Sequence, residues 1–177
     1  MTDHLERMWA GWRAAYMKTT ETGKAEHFTG DHDPVDRCVM CEVVVGESAN
    51  TTRLVHEAEL VVAVMNAYPY NNGHVLVVPR RHVDTVDQLD LDERTAFWDL
   101  VTQASTAIRD SYGCDGINMG VNEGRAAGAG LPDHLHAHVL PRWFGDTSFT
   151  TTVAGTRVIP EDLADSAARI RSCWPGR

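Results

Sequence analysis

The sequence predicts an antiparallel α+β domain. Three observations carry this: two apolar runs joined by a tight turn signal, one long amphipathic helix in mid-chain, and two further strands after it. Thr2–Lys18 reads as a helix with Leu5, Trp9, Trp12 and Tyr16 at helical spacing, and these aromatics read as packing residues. Thr19–Asp36 reads as a loop or tail, within which His27–Asp36 is polar and rich in Gly, Asp and Pro, so residues 1–36 read as an N-terminal helix and loop extension and residues 37–177 as the main domain. Cys41–Gly46 reads as a short helical turn. Arg53–Glu57 and Glu59–Asn66 read as strands with a turn at Ala58. Asn71–Gly73 tolerates positive φ and marks a turn into the apolar strand His74–Pro79, so the runs flanking it pair antiparallel.

Asp90–Tyr112 is the long helix. Asp90 with Glu93 forms a capping-box start, Phe97, Val101, Ala104 and Ile108 make one apolar face, and Gly113 ends it. Gly116–Asn122 reads as a strand, and Glu123–Asp133 as a loop of small residues. His134–Pro141 alternates with period two and reads as a half-buried strand. Pro160 opens a last helix, Glu161–Ser172. The sum is a sheet of five strands, one long helix and a C-terminal helix.

Composition excludes several classes of function. The chain has 177 residues and a formal net charge of −9, which disfavours a general nucleic-acid surface but not a small phosphorylated ligand. Of its 16 basic residues all but Lys18 and Lys24 are arginines, whose fork suits phosphate oxygens. Arg80, Arg81, Arg125 and Arg142 flank the histidine-bearing segments. No apolar run is long enough to cross a membrane, and Met1–Arg13 lacks the apolar core of a secretory signal, so a cytoplasmic setting with reduced thiols is expected. Cys114 and Cys173 read as ordinary thiols. Cys38 and Cys41 form a C-x-x-C, which reads either as a redox pair or as half of a zinc site. Against the redox reading, nothing before Asp36 resembles the required strand.

Three of the nine histidines are concentrated in His134–Leu135–His136–Ala137–His138. Period two places their imidazoles on one face, about 7 Å apart along the strand. The outer pair is then roughly 13 Å apart at the backbone, which strains a single three-histidine metal site and favours division between two adjacent sites. His136, flanked on both sides, is best placed as a nucleophile toward phosphorus. His138 can donate to a phosphate oxygen, and His134 can serve a neighbouring metal. A surface strand with incidental histidines is the bland alternative. Gly128 and Gly130, with Arg125, give the preceding loop the small residues through which backbone N–H groups approach an anion. His4, His27, His32, His56 and His74 read as surface or structural residues.

The run His134–Leu–His136–Ala–His138–Val–Leu resembles the motif of the histidine triad (HIT) superfamily of nucleotidyl hydrolases and transferases. The tracts NAYPYNNGHVLVVP (Asn66–Pro79), PRRHV, PRWFGDTSF, RMWAGWRAAYM and CVMC resemble its bacterial branch related to diadenosine tetraphosphate phosphorylases and ATP adenylyltransferase-like proteins. The resemblance implies a HIT-like fold, a homodimer, a small-molecule nucleotide substrate and no nucleic-acid or membrane partner. It assigns the nucleophile to His136 and phosphate contact to His138. It also assigns ribose contact to Asn66, a polar phosphate or triad contact to Asn122, and a substrate-side aromatic to Trp143. It implies a structural Zn2+ on Cys38, Cys41, His82 and His134. The loop departs from the family pattern: Gly130, Leu131 and Pro132 stand where a Gln or Ser is common, removing a side-chain donor that matters more for phosphorolysis than for nucleotidyl transfer. The expected activity is cleavage of a nucleotide phosphoanhydride through a nucleotidyl-histidine, with water or phosphate as acceptor. The alternatives are a phosphoesterase or nucleotidyl transferase acting on a specialised nucleotide conjugate, and a nucleotide-binding regulator with weak catalysis.

Overall fold

The computed structural model describes residues 38–45, 52–147, 151 and 158–176, all within the unit that spans Pro34–Arg177. The helix expected over Thr2–Lys18 and the loop after it lie outside the described residues.

Five strands form one antiparallel sheet: β1 (Leu54–Glu57), β2 (Val61–Met65), β3 (Val75–Pro79), β4 (Gly116–Val121) and β5 (Ala137–Arg142), in the order β1-β2-β3-β5-β4. Among the described residues three α-helices accompany them: α1 (Val39–Val45), α2 (Leu91–Tyr112) and α3 (Leu163–Ser172). β2 and β3 pair in full register from Val61 with Pro79 to Met65 with Val75. All ten of their residues are buried, so the alternation that usually marks a half-exposed strand is absent.

The reason is that both sheet faces are covered. Val61, Ala63, Met65, Val75, Val77, Ala137 and Val139 point toward α2 and α3, where Phe97, Leu100, Ile108 and Ile170 complete the main core. Val62, Val64, Leu76 and Val78 point the other way and meet Met40 and Val44 of α1 in a smaller cluster. α2 begins as its sequence predicts. Asp90 accepts from the Glu93 N–H at 2.9 Å, and Glu93 accepts from the Asp90 N–H at 3.0 Å. Gly113 closes the helix in the left-handed region.

Two expectations change. The histidine segment does not enter the ladder at His134. β5 begins at Ala137 opposite Val77, and upstream the backbone swings to a different partner, with Leu135 N–H donating to the Val83 carbonyl. The loop at 123–133 is not an open cradle either. A one-turn 3-10 helix at Arg125–Ala127 folds it on itself, and the N–H groups of Ala127, Gly128 and Ala129 are spent on loop carbonyls. Gly124 and Gly128 take positive φ to make that fold possible.

Candidate active site and metal cluster

β5, the loop before it, the β2–β3 turn and α1 converge on a cavity of about 360 Å³ on the α1 side of the sheet. His136 and His138 line it together with Asn66, Tyr70, Leu76 and Gly130. His138 lies opposite Leu76 in the β3–β5 pairing, which fixes its imidazole on this face. Asn122, Arg125, Gly128 and Trp143 are not among the cavity-lining residues. Arg125 is exposed on its 3-10 turn, and Trp143 packs edge-on against Tyr112 at 6.1 Å.

The hydrogen bonds determine the imidazole tautomers. His136, 5% exposed, donates from Nδ1 to the His134 carbonyl at 2.9 Å, which leaves the Nε2 lone pair as its unused face. A second chain orders His138. The Tyr70 backbone N–H donates to His74 Nδ1 at 3.0 Å, so His74 carries its proton on Nε2. That proton is donated to His138 Nδ1 at 3.0 Å, so neutral His138 carries its own proton on Nε2. Asn66 supports the chain: its Oδ1 accepts from the Tyr68 N–H at 3.0 Å, which points its Nδ2 at His74 Nδ1, 3.3 Å away. Tyr70 stacks over His138 with centroids 5.6 Å apart. Burial first, then the neighbouring imidazoles, hold His74 down to about 3 and His138 down to about 4, so both rings are neutral near pH 7.

His74 was expected to be a bland structural histidine, and it is fully buried beneath the triad. The signal that could have found it is the hairpin itself. The turn over Asn71–Gly73 returns the chain so that Asn66 N–H donates to the His74 carbonyl at 2.9 Å, bringing two site side chains together.

Arg80, Arg81 and Arg142 are committed to partners within the chain. Arg80 donates to the carbonyls of Ala58 and Val44 and to Glu57, Arg81 forks onto Glu93, and Arg142 pairs with Asp146 at 2.5 Å. Nearness in sequence to the triad did not reveal these partners.

A second cluster adjoins the cavity. Cys38, Cys41, His82 and His134 bring their ligand atoms within 4.8 Å of one another. The S···N separations are 3.4 Å from Cys38 and 3.5 Å from Cys41 to His134 Nδ1, and 3.2 Å from Cys41 to His82 Nδ1. A tetrahedral zinc with ordinary Zn–S and Zn–N bonds gives an S···N edge of about 3.5 Å, so the donor set and its spacing fit that ion. His134 donates from Nε2 to the Pro79 carbonyl at 2.9 Å, which turns its Nδ1 lone pair toward the sulfurs. Without an ion, burial and the Cys38 neighbour push the Cys41 thiol up to about 11. The C-x-x-C opens α1, whose first turn is closed by Glu42 N–H donating to the Cys38 carbonyl at 3.1 Å.

Comparison with known proteins bears on this geometry. A sequence model of the HIT domain matches residues 47–145. The chain belongs to the HIT domain family. Within it, the chain is similar to an AP-4-A phosphorylase of Mycobacterium tuberculosis, 33% identical over 172 residues that cover 97% of this chain and 86% of that protein. It also resembles the adenylylsulfatase HINT3 of Arabidopsis thaliana, 32% identical over 120 residues, covering 68% of this chain and 57% of that one. Among solved structures it resembles a Zn-bound histidine triad family protein from Mycobacterium smegmatis. The TM-score is 0.66 at 27% identity, with 78% of this chain and 94% of that chain covered. These HIT relatives thus include nucleotide hydrolases and transferases.

Proposed function

We propose that this chain cleaves a phosphoanhydride of a nucleotide, with a dinucleoside polyphosphate as the first substrate to test. The observation that carries the reading is the His136 tautomer: Nδ1–H is held by the His134 carbonyl and Nε2 keeps its lone pair at the cavity. Nε2 attacks the α-phosphorus, the P–N bond forms, and the bond from phosphorus to the bridging oxygen breaks with its electron pair leaving on the departing phosphate. The positive charge gained by the ring is stabilised at Nδ1–H by the same carbonyl. His138 donates Nε2–H to a non-bridging oxygen as charge grows there. An acceptor oxygen then attacks phosphorus, loses its proton to solvent, and the P–N bond breaks to restore neutral His136.

The lining supports the anhydride over a phosphoramidate. Gly130 and Leu131 supply no side-chain acid to the leaving group, and a polyphosphate departs without one where an amine does not. Asn66 is proposed to contact the ribose. Asn122, Arg125, Gly128 and Trp143 are proposed as outer contacts to the part of the substrate that extends beyond the cavity.

The metal is proposed to be Zn2+ on Cys38, Cys41, His82 and His134. Four protein ligands would leave no open position, so the ion would supply structure and not Lewis acidity. A cytoplasmic setting is proposed, since there thiols stay reduced and available as metal ligands; no helix among the described residues is long and apolar enough to cross a membrane. A homodimer is supported by the edge position of β4, whose Met119 is half exposed. Residues 37–177 are proposed as the catalytic domain and 1–36 as its extension.

The test is product analysis of diadenosine tetraphosphate turnover in 18O-water, with and without inorganic phosphate. Label in the nucleoside monophosphate means water is the acceptor. An unlabelled nucleoside diphosphate formed only with phosphate means phosphorolysis. Intact substrate after prolonged incubation would contradict the reading.

A further inference from the structure

The metal cluster and the cavity share a wall. Val39 and Met40, the two residues between Cys38 and Cys41, both line the cavity beside His136 and His138. α1 has seven residues, too few to hold a helix unaided. Three attachments fix it: Met40 and Val44 packed on Val62, Val64, Leu76 and Val78, the Arg80 guanidinium on the Val44 carbonyl at 2.6 Å, and the two thiols. Val39 is half exposed, so packing alone holds it weakly. The second link is His134. Its ring faces the sulfurs, and its backbone carbonyl holds Nδ1–H of His136 at 2.9 Å.

We infer that the Cys38/Cys41/His82/His134 cluster latches this wall, so that metal occupancy sets nucleotide affinity through Val39 and Met40. The inference rests on the nucleotide reading above. A metal-bound thiolate on each side of Val39–Met40 would pin the segment at both ends, where thiol–imidazole contacts are weak hydrogen bonds. The wall it pins is aliphatic and suits the flat apolar part of a nucleotide, its base, while the phosphate lies at the histidines. If loss of the ion leaves the closed wall in about a tenth of the molecules, the apparent Kd rises about tenfold.

The test is calorimetric titration of AMP into three samples of the full chain: zinc-loaded, stripped by chelator under reducing conditions, and stripped then reloaded with Zn2+. Amide hydrogen exchange is followed on the same samples. The expected result is a Kd about tenfold higher on stripping, faster exchange at residues 39–45 with β3 and β5 still protected, and recovery on reloading. His82→Asn, which removes one ligand and leaves both thiols, is expected to reproduce the loosening in the same segment. Equal affinity of stripped and loaded protein overturns the inference. So does exchange rising through the whole sheet, since the ion then holds the fold and not the wall. Absence of AMP binding by the loaded protein, with residues 39–45 still loosening on stripping, identifies the nucleotide reading as the failed premise and overturns the affinity claim with it.

Discussion

At the residue scale the site depends on directed protons. Tyr70 N–H, His74 and His138 form a chain in which each donor fixes the next acceptor, and it ends on the Nε2–H of His138, a residue that lines the cavity. His74→Phe keeps a buried ring but frees His138 to take either tautomer. Steady-state kinetics are expected to show kcat falling about tenfold to a hundredfold, on the scale of other lost outer-shell partners, with AMP affinity far less changed. The chain also predicts acid sensitivity. His74 is protonated near 6.5 when unfolded and only near 3 when folded, so between those values the unfolded state binds more protons. Its contribution is fully present above pH 6.5 and is lost as pH falls toward 3, by up to about 1.4 kcal/mol per pH unit. Denaturant midpoints from pH 7 to 4 should fall more steeply for wild type than for His74→Phe; parallel slopes would remove His74 as the cause. The three histidines stood out in the sequence because they alternate with apolar residues, although of the three only His138 lies within β5. His74 did not, because a single histidine before an apolar strand carries no periodic signal and its importance comes from β3 lying beside β5.

At the element scale, short-range chemistry was the most readable part of the chain. Asp90 and Glu93 predicted the start of α2 and Gly113 its end, because capping is a matter of residues three or four apart. Asp90→Ala is expected to lower stability by about 1 kcal/mol in chemical denaturation, with kinetics unchanged. The β2–β3 turn makes a stronger demand. Gly73 has φ +73°, and a Cβ there would lie 2.6 Å from Tyr112 Cε2. Gly73→Ala combines backbone strain with that clash and is expected to cost more than 1 kcal/mol. Because the same turn carries Asn66 and Tyr70 toward His74, it should also reduce kcat, unlike Asp90→Ala. What the sequence could not display at this scale were pairings set by tertiary neighbours. Examples are the loop N–H groups turned inward around Gly124 and Gly128, the arginines committed to Glu57, Glu93 and Asp146, and the swing of Leu135 to the Val83 carbonyl.

At the scale of the whole molecule, the sheet separates two tasks. One face packs on α2 and α3 as the main core, and the other bears α1, the cavity and the Cys/His cluster. The family resemblance had joined Cys38 and Cys41 to His82 and His134, and the fold brings those four donors together across 96 positions of sequence from Cys38 to His134. Elemental analysis of protein purified without chelator should find one zinc per chain, lost in Cys41→Ser; a metal-free preparation would contradict the zinc assignment. The central claim, a nucleotide bonded to His136, is tested most directly by intact-protein and peptide mass spectrometry. Protein quenched during turnover of diadenosine tetraphosphate should carry one adenylyl group on the peptide containing His136, absent in His136→Ala, which should also lose turnover. An adduct on another residue, or turnover retained by His136→Ala, would contradict it.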